Sequence, residues 1–127
     1  MLLLDERIAA DGRHSQTWAT CDGEQLVLHD EGAVIGALPV AVVDHVMRRY
    51  GRALDAEIAL EGDSLACGAW TLRRLRHRSE VDADGRDYLV WHRPDAEPLA
   101  CLATSITGAL RFLIHRDSLR NLRRDPP

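Results

Sequence analysis

The side chains able to do bond chemistry are few and scattered. Six histidines occur, at positions 14, 29, 45, 77, 92 and 115. None stands in an H-E-x-x-H arrangement or in any i,i+4 pair, the spacing that brings two imidazoles to one metal. One pair is placed by a simple fold. If Asp84-Gly85 is a two-residue hairpin turn, His77 faces His92 across two strands, with Cβ atoms about 4.5–5.5 Å apart. The same register sets Arg78 against Trp91, an indole plate for a guanidinium, and Arg76 against Arg93, a like-charge pair. His77 and His92 are therefore weak metal candidates, with no third ligand in sight, and no metal is expected.

Other candidates are weaker. "HDEG" (29–32) sets a histidine beside two carboxylates, which suits acid–base work but equally suits a solvated turn. "TSITG" (104–108) offers hydroxyls within a helical pattern and lacks a strand-to-helix nucleophile elbow. "GAVIGAL" has neither the P-loop lysine nor the dinucleotide spacing, and no cofactor is expected. Cys21, Cys67 and Cys101 are far apart and form no C-x-x-C pair, which argues against a disulfide scaffold or a zinc knuckle. They read as free thiols. Cys67, just before Gly68, is placed in a turn that would expose it, but a nucleophilic role would need a histidine partner that the sequence does not identify.

The densest charge is "LRRLRHR" (72–78). Read as a helix, only Leu72 and Leu75 align and the apolar stripe stops at once. Read as a strand, Arg74, Arg76 and Arg78 share a face that begins at Leu72, while Arg73, Leu75 and His77 share the other. Such a face suits phosphates, an acidic partner, or water. Against phosphate, Glu80, Asp82, Asp84 and Asp87 follow closely and few aromatics interleave for base stacking. A second cluster, Arg116, Arg120 and Arg123, falls on one side of a short terminal helix.

Every one of the 16 basic residues is arginine, and with abundant Ala, Asp and Gly this reads as a bacterium with a GC-rich genome. Codon bias of that kind weakens an arginine run as evidence for phosphate recognition. Residues 1–63 carry 12 acidic and 5 basic side chains, residues 64–127 carry 8 and 11, and the net charge is −4. This division can steer a partner or a second copy, or let the two halves face each other. "MLLLDER" is too short for a signal peptide or a span, so a soluble cytoplasmic protein is expected.

The positioning elements follow from punctuation and period. Asp11-Gly12 and Asp22-Gly23 carry type I′ hairpin chemistry, and Glu31-Gly32 is a weaker turn. They divide the first third into three or four strands. "PVAVVDHVMRRYG" is a helix opened by Pro39 and stopped by Gly51, with Val40, Val43, Met47 and Tyr50 as its apolar stripe. Strands follow at 56–60 and 64–67, then a hairpin from Trp70 to Arg93. From Pro98 a second helix is expected, with Leu99, Leu102, Ile106, Leu110 and Leu113 on its core face.

These readings combine into an α+β fold, an antiparallel sheet of hairpins with two helices on one face, in an order near βββ-α-ββββ-α. Residues 1–116 form the domain, and 117–127 a short arginine-rich tail or helical turn. With no catalytic constellation, the expected function is a non-enzymatic interaction or regulatory module. It would grip another protein, or a second copy as a homodimer, through Arg74, Arg76, Arg78, Trp91, Arg116, Arg120 and Arg123. The alternatives are nucleic-acid binding by the arginines of 73–78 and 116–124, and a small-ligand domain or minor enzyme near Trp18, Trp70 or Trp91.

Overall fold

The computed structural model describes residues 1–54, 62–76 and 84–124, with side chains described up to position 117. The strand expected at 56–60 lies outside those residues, as do His77, Arg78, Glu80 and Asp82. The first half is a meander of β1 (Leu2–Ile8), β2 (His14–Asp22), β3 (Gln25–Asp30) and β4 (Ala33–Pro39), followed by α1 (Val40–Tyr50). The second half holds β5 (Arg52–Ala53), β6 (Ser64–Cys67), β7 (Trp70–Leu75), β8 (Tyr88–His92), β9 (Leu99–Leu102) and α2 (Ala103–Arg124). The fold is α+β, as the patterning implies. Among the described residues its strands divide into two antiparallel sheets, ordered β1-β2-β3-β4 and β5-β9-β8-β7-β6.

Turn chemistry sets the first sheet. Asp30 pairs with Ala33, so Glu31 and Gly32 are the central turn residues, and both have positive φ, 51° and 84°. This is the type I′ pattern. Asp22 pairs with Gln25, so that turn is centred on Gly23-Glu24, and only Gly23 (φ 61°) is positive, the type II′ pattern. The weaker-looking sequence thus makes the tighter-specified turn.

Inward side chains of both sheets and both helices meet in one core. Leu2, Leu4, Leu26, Leu28 and Leu38 come from the first sheet, and Trp70, Leu72, Leu89 and Trp91 from the second. Helix α1 contributes Val43, Val46 and Met47, while α2 contributes Ile106, Leu110 and Ile114. Ile114 packs so closely on Gly36 of β4 that any Cβ there would overlap its side chain. A smaller cluster of Leu75, Tyr88, Val90 and Ala100 lies on the second sheet's other side.

Leu99 and Leu102 lie on a strand, not on the helix. Their segment is held between β8 and β5, and helical spacing yields to that ladder. Tyr50 leaves the α1 stripe and is 56% exposed. From Asp117 to Arg124 the backbone is helical, as a continuation of α2.

Candidate functional site

The arginine strand has the expected alternation but the opposite facing. Trp70, Leu72 and Arg74 share one parity on β7, and all three are buried. The two apolar residues commit that face to the core, and Arg74 is carried in with them. Its side chain is 6% exposed, donates from Nη1 to Leu3 O at 3.2 Å, and pairs through Nη2 with Asp87. Arg74 is thus a strut between β7, β1 and the segment leading into β8. Asp5, buried beside it, has its carboxyl raised by desolvation, against the pull of Arg7 and of Arg74. Arg76, the next residue on that parity, is exposed; Arg78 lies outside the described residues.

Trp91 is also no contact residue. It is fully buried and stacked on Trp70, ring centres 4.8 Å apart and planes 10° from parallel, with Nε1 donating to Asp44 at 3.0 Å. The arginine plate is Trp70, with the Arg93 guanidinium 5.0 Å from its ring centre. The hairpin register differs as well. His92 pairs with Thr71 and Trp91 with Leu72, so the β7–β8 connection is longer than a two-residue Asp84-Gly85 turn and His92 is not set opposite His77. His92 instead receives a bond from Arg73 Nε at 3.2 Å. Burial, then the Arg73 charge, lower its pKa and hold it neutral. Among the described residues no three His, Cys, Asp or Glu side chains gather as a metal site.

The remaining sequence candidates are structural too. Asp30 of "HDEG" accepts from Thr17 Oγ1 at 2.7 Å and pairs with Arg111 of α2. Burial alone would raise its pKa, but the bonds from Arg111 and Thr17 outweigh it and the net direction is down. His29 bonds Thr20 at 2.7 Å. Cys67 is fully buried, not exposed in a turn. "TSITG" is helical, and Thr107 Oγ1 is buried without a partner among the described residues.

A different region has the character of a binding surface. Along α1 and α2, residues off the core stripe form the walls of an open groove of about 640 Å³. Val42, His45, Arg49 and Tyr50 line it from α1, and Phe112 and Arg116 from α2. The steps 42, 45, 49 and 109, 112, 116 are those of one helix face each. Phe112 is 63% exposed, Tyr50 56% and Val42 36%, three of the six large apolar side chains left in water among the described residues. Singly, such exposure is ordinary; gathered in one concavity it has the character seen at interaction surfaces.

Charge accompanies the apolar lining. His45, Arg49 and Arg116, all exposed, line the groove together with the apolar side chains. Among the described residues neither Arg49 nor Arg116 has a carboxylate within ion-pair distance. Arg49 instead lies 5.7 Å from the ring centre of Tyr50. Arg48 differs, since Asp44 holds it at 2.9 Å. Of the contact residues expected from sequence, Arg116 belongs to this groove, and Arg120 and Arg123 follow at four and seven residues along the same helix. Phe112, Tyr50 and Val42 were missed. For Val42 and Phe112 the signal was present, as apolar residues one step off the core stripe of each helix, whereas Tyr50 had been read as part of the α1 stripe itself. No protein-family model matches the chain, and neither the curated proteins nor the solved structures include a match to it.

Proposed function

We propose that this protein is a non-enzymatic interaction module, and that the α1–α2 groove receives an acidic amphipathic α-helix from a partner protein. The carrying observation is the coincidence of exposed Phe112, Tyr50 and Val42 with two arginines, Arg49 and Arg116, that have no carboxylate partner among the described residues, on one concave face. An apolar floor between two helices fits a third helix inserting residues at i, i+3 or i+4, and i+7. The cationic side chains then select carboxylates flanking that stripe, which fixes register and rejects basic segments.

Charge also separates this occupant from its rivals. A second copy docked by two-fold symmetry would lay the same patch on itself and bring its cationic side chains together. A nucleic acid would use Arg49 and Arg116 but would leave the apolar floor uncovered. A small molecule would need convergent polar groups to orient it, and the walls of this groove are mainly apolar. No helix among the described residues is long and apolar enough to cross a membrane.

Selection of displayed helical peptides on the full chain tests this reading. Enriched sequences should carry an apolar stripe flanked by Asp or Glu, and Phe112→Asp should abolish their binding. Three outcomes would overturn it. One is enriched peptides indifferent to Phe112→Asp. Another is a dimer in light scattering that Phe112→Asp converts to monomer, which would assign the groove to self-association. The third is salt-sensitive DNA or RNA binding lost in Arg116→Glu with no peptide enriched.

A further inference from the structure

We propose that Cys21 and Cys67 form an oxidisable pair that can tie the two sheets together with a disulfide. The inference is independent of the docking groove. Cys21 is the last inward position of β2 before the β2–β3 turn, sharing parity with Thr17 and Ala19, both buried. Cys67 ends β6 in the other sheet and is itself buried. Strands β2 and β6 approach with Cα atoms within 8 Å across the sheet boundary. Both thiols point to the same connection, Cys21 donating to Gly23 O at 3.2 Å and Cys67 to Gln25 O at 3.7 Å. The carbonyls they use belong to residues two apart. Rotation about each Cα–Cβ bond redirects both sulfurs, and a bridge requires Cα atoms about 4.4–6.8 Å apart. Cys101 has no such neighbour. Its sulfur lies 3.5 Å from Met47 Sδ, on the far side of the core beneath α1.

Exposure orders the chemistry. Cys21 is half-buried and Cys67 is enclosed, so a small oxidant meets Cys21 first. With a low-molecular-weight disulfide such as oxidised glutathione, the Cys21 thiolate attacks one sulfur and expels one glutathione thiolate. Cys67, as thiolate, then attacks Cys21 Sγ in the mixed disulfide and expels the second. Two protein thiols are oxidised, one glutathione disulfide is reduced, and the two protons lost by the protein end on the two expelled glutathione thiolates. Burial, and then the neighbouring Cys21 sulfur, push the Cys67 thiol up to about 12. Closure should therefore accelerate roughly tenfold per pH unit near neutrality, as the thiolate fraction does.

Incubation of the full chain with oxidised glutathione, followed by non-reducing peptide mapping, tests the pair. The expected product is a peptide linking Cys21 to Cys67, unchanged in Cys101→Ser and absent in Cys21→Ser, whose fold is checked by circular dichroism. Because the bridge closes a long loop, the melting temperature should rise by about 10 °C. Three results would overturn the proposal: glutathione retained on Cys21 without closure at pH 8.5 or above, linkage of Cys101 instead, or linkage that appears only after unfolding in urea.

Discussion

Arg74 on β7 and Arg116 on α2 carry the same guanidinium and meet opposite surroundings. Arg74 is 6% exposed and engages Leu3 O and Asp87, so its charge is used within the fold. Arg116 is exposed and lines an apolar groove, with no carboxylate within reach among the described residues. A buried cation must be paired, because desolvation without a partner costs several kcal/mol. An exposed one needs none and stays available to a partner. Density of arginine along the chain does not distinguish the two; the apolar company of each residue does. Trp70 and Leu72 draw Arg74 inward, while Phe112 and Tyr50 stand in water beside Arg116 and Arg49.

The strongest way to break this contrast is at β7. Arg74→Met should cost about 3 kcal/mol, because it removes two charge-assisted hydrogen bonds made by a buried guanidinium, one to Asp87 and one to the Leu3 carbonyl. Arg76→Met, on the exposed next position of that parity, should leave the urea midpoint unchanged. Equal midpoints for the two variants would erase the distinction.

Asp30 gives the next largest effect and adds a pH signature. Asp30→Asn weakens the bonds to Arg111 and Thr17 and should cost about 1–3 kcal/mol at neutral pH. Its carboxyl titrates below the ordinary value in the fold, so this stabilisation is present above the unfolded carboxylate range and fades as pH falls through the folded value. The deficit of Asp30→Asn should therefore vanish in acid. Asp5 runs the other way. Burial raises its carboxyl, so the fold favours the protonated form, and Asp5→Asn should gain stability at neutral pH with the gain disappearing in acid. Urea midpoints followed from about pH 2 to pH 7, spanning the carboxylate range, check both signs.

A smaller gain is expected at Thr107. Its hydroxyl is buried without a partner among the described residues, and Thr107→Val removes that group at nearly constant size. The variant should be more stable by about 1 kcal/mol in chemical denaturation. At the far end of the scale, Arg116→Glu and Phe112→Ser should leave the unfolding midpoint in place and weaken peptide binding tenfold or more.

The residues themselves show why some of this was legible and some was not. The meander, α1 and the core stripe of α2 follow from turn residues and apolar period, which are local. The parity of β7 was legible too, since Arg74 and Leu72 two positions apart must share a face. Which face points inward was not, because that depends on β1 arriving from distant sequence to cover it. The same holds for β9, where helical spacing at Leu99 and Leu102 gives way to a slot between β8 and β5. The His77–His92 register failed because Asp-Gly chemistry locates a turn and not its length. The groove was readable only in hindsight of the packing: Val42 and Phe112 belong to second apolar stripes that become a concavity once α1 and α2 lie side by side.

The central claim, that the helix layer and not the arginine strand meets the partner, is tested most directly by amide chemical-shift mapping of the labelled full chain titrated with a selected acidic helical peptide. The perturbed amides should cluster on α1 from Val42 to Tyr50 and on α2 from Ala109 to Arg116, with β7 and β8 unmoved. Shifts concentrated at Arg73 to Arg76, with the two helices silent, would contradict it.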